Sequence, residues 1–141
     1  MSEEKKINRT PFTLLNGAAL AYLGDAVYET AIRQHVIQQG FTQVNKLHKA
    51  AVKYVSAEGQ ARVIQSWIKR DDFLTEAEIA IYKRGRNHKA NTKAKNASIG
   101  EYRQATGFEA ILGWLHITNQ EERIAMLIKY AIDYIDHGSE E

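Results

Sequence analysis

Asp25 is the acid best placed for chemistry. It sits in Leu20-Ala21-Tyr22-Leu23-Gly24-Asp25-Ala26-Val27-Tyr28-Glu29. Leu20, Leu23/Gly24, Val27 and Ala31 recur at helical spacing and form one apolar face. Ala18, Ala21, Tyr22, Asp25 and Glu29 follow the same period on another. A carboxylate among small side chains is open to close approach by a second helix or a ligand; the plainer reading is a solvated or salt-bridged helix residue. Gly24 costs the helix roughly 1 kcal/mol relative to alanine, which points to tight approach by another backbone.

The second concentration of chemistry is cationic. Lys83, Arg84, Arg86, Lys89, Lys93 and Lys95, with His88, fill thirteen positions that hold no acid. They account for six of the 19 Lys and Arg, leaving 13 against all 17 Asp and Glu, so a formal charge of +2 conceals a basic patch on an acidic body. Such a run binds phosphates or is simply solvated. Lys46, Lys49 and Lys53 extend it or form a solvated helix face. His35, His48, His88, His116 and His137 show no metal-ligand spacing. With no cysteine, disulfides and thiolate metal sites are excluded.

The elements that must carry these residues are helical. A helix for which Thr10-Pro11 and then Thr13 or Asn16 offer starts runs to about Gln39 and stops at Gly40. Thr42 caps a second helix with Val44, Leu47, Ala51 and Val55 inward. Ser56 caps a third, carrying Ala57, Ala61, Ile64 and Ile68. Thr75-Glu76-Ala77-Glu78 and Ser98-Ile99-Gly100-Glu101 are capping boxes opening two more. Residues 85–97 lose apolar periodicity and read as a loop. The helix through Phe108, Ile111, Leu112 and Leu115 is broken or kinked near Gly107. Asn119 caps the last, with Ile124, Leu127, Ile128, Ala131, Ile132 and Ile135 inward. No period-two alternation, internal repeat or linker is found, and the expected fold is all-α, one domain of six or seven helices across 1–141, with tails at 1–9 and 136–141. Trp67 and Trp114 read as core or interface anchors, and Tyr22 as packing. The charged start, with no apolar segment behind it, predicts a cytoplasmic protein with no membrane partner.

Leu-Ala-Tyr-Leu-Gly-Asp-Ala-Val at 20–27 resembles the signature helix of the ribonuclease III family, usually written Leu-Glu-Phe-Leu-Gly-Asp-Ser/Ala-Val. Thr106-Gly107-Phe108-Glu109-Ala110-Ile111-Leu112-Gly113 resembles that family's second metal-bearing helix, Asp-x-Phe-Glu-Ala-Leu-Ile-Gly. Residues 82–87, Tyr-Lys-Arg-Gly-Arg-Asn, are similar to the short Mini-ribonuclease III branch, which lacks a separate RNA-binding domain.

The resemblance implies a nuclease-domain helical bundle and a magnesium-dependent endoribonuclease cleaving double-stranded RNA, with maturation of 23S ribosomal RNA as its role. Asp25 and Glu109 become the catalytic metal ligands. A metal-bound water becomes the attacking group, leaving a 5′-phosphate and a 3′-hydroxyl. Lys83, Arg84, Arg86, His88, Lys89, Lys93 and Lys95 become the RNA contacts, and Asn87, Asn91, Thr92 and Asn96 add hydrogen bonds. The resemblance also implies a homodimer formed through the signature helix, which suits the small residues Ala18, Ala21 and Gly24. Ala18, Ala21 and Thr106 stand where the family usually has acids, and Glu29 is a substitute outer ligand or a surface residue. The alternative is a catalytically silent dimer of the same fold that binds double-stranded RNA without cutting it.

Overall fold

The computed structural model describes residues 15–88 and 98–138. Six helices follow one another: α1 (Gly17–Gln38), α2 (Val44–Val55), α3 (Ala57–Lys69), α4 (Glu76–Arg86), α5 (Ile99–Ile117) and α6 (Glu121–His137). No strand occurs among the described residues.

The helix starts follow short polar side chains that accept from otherwise unpaired amides. Asn16 Oδ1 accepts from the Ala19 amide at 2.7 Å, and Ser56 Oγ from Gly59 at 3.0 Å. Both capping boxes close: Thr75 with Glu78 and Ser98 with Glu101 each exchange two hydrogen bonds. Two expected caps are absent. Gln43 and Gln120 occupy the cap positions of α2 and α6 without a side-chain bond. Asn119 instead takes a positive φ of 63°, turning the chain out of α5. Thr10, Pro11 and Thr13 lie outside the described residues.

α5 is the central element, packed on α1, α3, α4 and α6. Its Phe108, Ile111, Leu112 and Leu115 are fully buried against Tyr28, Ile32 and Val36 of α1, Val63, Ile64 and Trp67 of α3, and Leu127 of α6. The Phe108 ring meets Tyr28 edge-on at 4.9 Å and Trp67 at 5.4 Å. α5 is unbroken at Gly107. The glycine is there because the Tyr82 ring and carbonyl lie within 2.9 Å of where a Cβ would stand, so close packing, not a break, explains it. Val44 (67% exposed) and Ile68 (41%) face outward, contrary to the periodic reading. α4 continues through Gly85 and Arg86, and α6 through Asp136 and His137, shortening the expected loop and tail.

At one end of the bundle, Glu78 (2% exposed) is held bidentately by Arg123, both bonds 2.7 Å, while Arg123 Nη2 also donates to the Phe73 carbonyl. At the other, Tyr54 donates to Asp136 at 2.6 Å, with His35 and Lys53 alongside, joining α1, α2 and α6.

The closest approach is between α1 and α5. A Cβ on Gly24 would overlap the Glu109 carbonyl and stand 2.8 Å from the Gly113 amide. A Cβ on Gly113 would overlap the Leu20 carbonyl. Gly24→Ala should therefore destabilise the protein by roughly 3 kcal/mol or more. Gly100→Ala, whose Cβ meets only Ser98 Oγ at 3.8 Å, should be neutral or slightly stabilising. Thermal unfolding of the two variants checks the contrast.

Candidate active site

The α1–α5 crossing sets the site. Gly24 lies on the Glu109 carbonyl, so the next residue of α1, Asp25, emerges beside the Glu109 side chain. Asp25 is exposed and Glu109 half-buried. The two carboxyl groups lie within hydrogen-bonding reach of each other, although 84 residues apart in sequence. Burial pushes the Glu109 carboxyl up to about 8. The Asp25 charge and the hydrogen bond between the two acids add to the rise, as does the more distant Glu29 charge, and a hydrogen bond from Gln60 opposes it.

Two carboxyls brought together without a cation repel, and one keeps a proton to well above its usual range. An oxygen-only pair with surplus negative charge is the donor chemistry of a hard divalent ion. Magnesium commonly takes one or two carboxylates, substrate phosphate and several waters, so these residues fit it. Among the described residues no group of three or more His, Asp or Glu converges as a metal site. The positions where further acids were sought explain the shortfall. Ala21 is buried with Leu20, Ile81 and Ala110 in a satellite apolar cluster, and the Thr106 hydroxyl donates back to the Tyr102 carbonyl at 2.9 Å. Glu29 pairs with Arg33 at 3.3 Å on the surface.

The basic residues divide. Lys83 and His88 are exposed at the end of α4. Arg86 lies over the Tyr82 ring at 5.3 Å and donates to Asn87 at 3.0 Å. Arg84 is half-buried, and its Nη1 donates to the Leu15 carbonyl at 3.0 Å, fastening the segment before α1 onto α4. Lys89, Lys93 and Lys95, like Asn91, Thr92 and Asn96, lie outside the described residues. Lys46 and Lys49 are exposed on α2, and Lys53 pairs with Asp136 at 3.4 Å.

Two expectations about α1 need correction. Ala21 and Gly24 are buried within the chain, against α4 and α5, and do not lie on an outer face. Tyr22, read as packing, is 85% exposed among the described residues. Sequence reasoning also missed that Gln60 is buried, 2% exposed, with its Nε2 donating to the Val55 carbonyl at 3.0 Å. The available signal was a polar residue on the apolar stripe of α3, four positions before Ile64.

The ribonuclease III domain family matches residues 18–120. A Mini-ribonuclease 3 of Streptococcus pneumoniae is 51% identical over 123 residues, covering 87% of this chain and 95% of the relative. One from Enterococcus faecalis is 48% identical over 126 residues, covering 89% and 95%. The crystal structure of protein FN1578 from Fusobacterium nucleatum superposes with a TM-score of 0.75 at 32% identity, covering 84% of this chain and 93% of that one.

Glu109 generates a pH prediction. Its pKa is raised on folding from 4.5 to about 8, so the native state retains a proton that the unfolded chain releases. Stability should fall as pH rises through that window and level off above it. In chelator, the wild-type Tm should drop between pH 5 and 9 by roughly 5 °C more than that of Glu109→Gln. Magnesium at pH 8.5 should restore the wild type and leave the variant unmoved. Calorimetric scans at each pH make the comparison.

Proposed function

This chain belongs to the ribonuclease III family and is an endoribonuclease, and from that premise we propose that it cuts double-stranded RNA with magnesium held by Asp25 and Glu109. The observation that carries the reading is the meeting of those two carboxyls at the α1–α5 crossing. When bound, magnesium supplies Lewis acidity, neutralising charge on the phosphodiester and acidifying a water. Asp25 and Glu109 hold it from two packed helices, so their spacing is set by backbone contact and not by a loop. Asp25, the exposed member, lies on the side from which substrate arrives. Hydrolysis leaves a 5′-phosphate and a 3′-hydroxyl.

Substrate grip falls to the basic end of α4 and the segment after it. Lys83, Arg86 and His88 are at the described end, and Lys89, Lys93 and Lys95 continue the run. Flexible cations suit the phosphates of an A-form duplex, whose shallow minor groove is read by shape more than by sequence. Arg84 belongs to the scaffold more than to the grip, because the Leu15 carbonyl occupies its guanidinium.

Cutting both strands requires two sites related by the duplex two-fold, which a symmetric dimer provides. The outer face of α1 supplies a surface for it: Ala19, Tyr22 and Ala26 are exposed at i, i+3 and i+7. The resemblance to the short branch of the family supports a 23S ribosomal RNA precursor, met in the cytoplasm, as the substrate. No helix among the described residues is long and apolar enough to cross a membrane. A catalytically silent duplex-binding dimer is the second reading, favoured by the lack of a third converging acid among the described residues.

Purified protein with duplex RNA and magnesium separates the two. Asp25→Asn should bind the duplex and lower the cleavage rate on the order of a thousandfold; cleavage at the normal rate removes Asp25 from the account. Wild type that binds and never cuts favours the silent reading. Lys83→Ala with Arg86→Ala should weaken duplex binding and reduce the slope of log affinity against log salt by about 1.5, read by titrations at several salt concentrations.

A further inference from the structure

A groove of about 970 Å³ runs between the outer faces of α3 and α6, and neither Asp25 nor Glu109 lines it. Arg62, Lys69 and Arg70 stand on its α3 wall, and Tyr130 and Tyr134 on its α6 wall. Arg62 and Arg70 are eight residues apart, about 12 Å or two turns along the helix. The Arg62 guanidinium lies over the Tyr134 ring at 5.8 Å. That of Arg70 lies over Phe73 at 4.4 Å and over Tyr130 at 5.6 Å. Phe73 meets Tyr130 edge-on at 5.3 Å, and Tyr130 stays 41% exposed. Among the described residues, none of the three cations has a salt bridge or a side-chain hydrogen bond. The one acid lining the groove, Asp133, pairs with Lys129 at 3.5 Å.

Arg123 shows how this fold uses an arginine for structure: Glu78 and a backbone carbonyl take up its donors. Arg62 and Arg70 are placed by ring contacts instead, which orient the guanidinium plane and leave its N–H edge open. Open N–H edges suit phosphate oxygens. A row of cations two turns long matches successive phosphates of a strand better than the single phosphate group of a free nucleotide. The rings supply the other half of the argument. In an A-form duplex the bases are paired and stacked, whereas unpaired bases stack on aromatic rings and on arginine planes. A cationic wall facing an aromatic one is the pattern of a single-strand site. We propose that the α3–α6 groove binds an unpaired strand of the substrate RNA, with phosphates on Arg62, Lys69 and Arg70 and bases stacked on Tyr130 and the guanidinium faces. The inference rests on RNA being the substrate and does not depend on Asp25 or Glu109 binding metal.

The test compares a blunt RNA duplex with the same duplex carrying a short single-stranded oligouridine extension, both in chelator. Fluorescence anisotropy follows binding by wild type, by Arg62→Gln with Arg70→Gln, and by Tyr130→Leu, with Tm measured alongside. The extension should raise wild-type affinity about tenfold. Both variants should bind the blunt duplex as wild type does and lose most of that gain. The double variant should also reduce the slope of log affinity against log salt for oligouridine alone by about 1.4. Equal wild-type affinity for the two duplexes overturns this inference alone, as does a gain that survives in both variants. Failure of wild type to bind either duplex overturns the RNA reading and this inference with it. Uridine monophosphate that competes as well as oligouridine makes the groove a nucleotide pocket and overturns the strand assignment. Should the double variant fail to fold, Lys69→Gln, exposed on the same row, carries the same expectation and the same refutation.

Discussion

The contact on which this protein depends is backbone against backbone, where α1 crosses α5. Gly24 and Gly113 leave no side chain between the helices, so the carbonyls of Glu109 and Leu20 occupy the space a Cβ would need. Two mid-helix glycines cost about 2 kcal/mol of helix propensity. Burial on both sides of the crossing outweighs that: Tyr28, Ile32 and Val36 of α1 pack with Phe108, Ile111 and Leu112 of α5, each such side chain contributing roughly 1.5–3 kcal/mol. The crossing does more than stabilise. It fixes how far apart the flanking side chains emerge, and those side chains are Asp25 and Glu109. A looser crossing with alanines would keep the core and separate the acids.

Two glutamates show how environment decides an acid's behaviour. Glu78 and Glu109 are both withdrawn from water. Burial raises the carboxyl of Glu78, but the Arg123 guanidinium and the Thr75 amide outweigh it and hold the group below its ordinary value. At Glu109 burial and the Asp25 charge act together, and its carboxyl rises. The first is a finished structural clamp between α4 and α6. The second is an unfinished one, a place where the fold tolerates repulsion between two acids.

Features governed by neighbours in sequence were legible. Asn16, Ser56 and both capping boxes sit where a short polar side chain meets free amides three residues on, a rule that needs no tertiary information. The stop near Gly40 and the inward faces of α5 and α6 follow from local chemistry and period. Expectations failed where packing overrode pattern. Gly107 resembled a break and is a slot for Tyr82. Val44 and Ile68 fit the period yet lie at helix ends and are exposed. Ala21 and Gly24 suited a partner chain and are consumed inside this one.

The sequence by itself determined the helical class, most of the helix starts, and the two motifs that identify Asp25 and Glu109, because a motif is a string and a cap is a local bond. Only the tertiary structure decided that those acids meet, that Glu109 is driven toward its protonated form while Glu78 is not, that Arg84 donates to the Leu15 carbonyl, and that Gln60 is buried against the end of α2. Most of these rest on contacts between residues far apart in the chain, and such contacts are set by which surfaces fit when four helices close on α5.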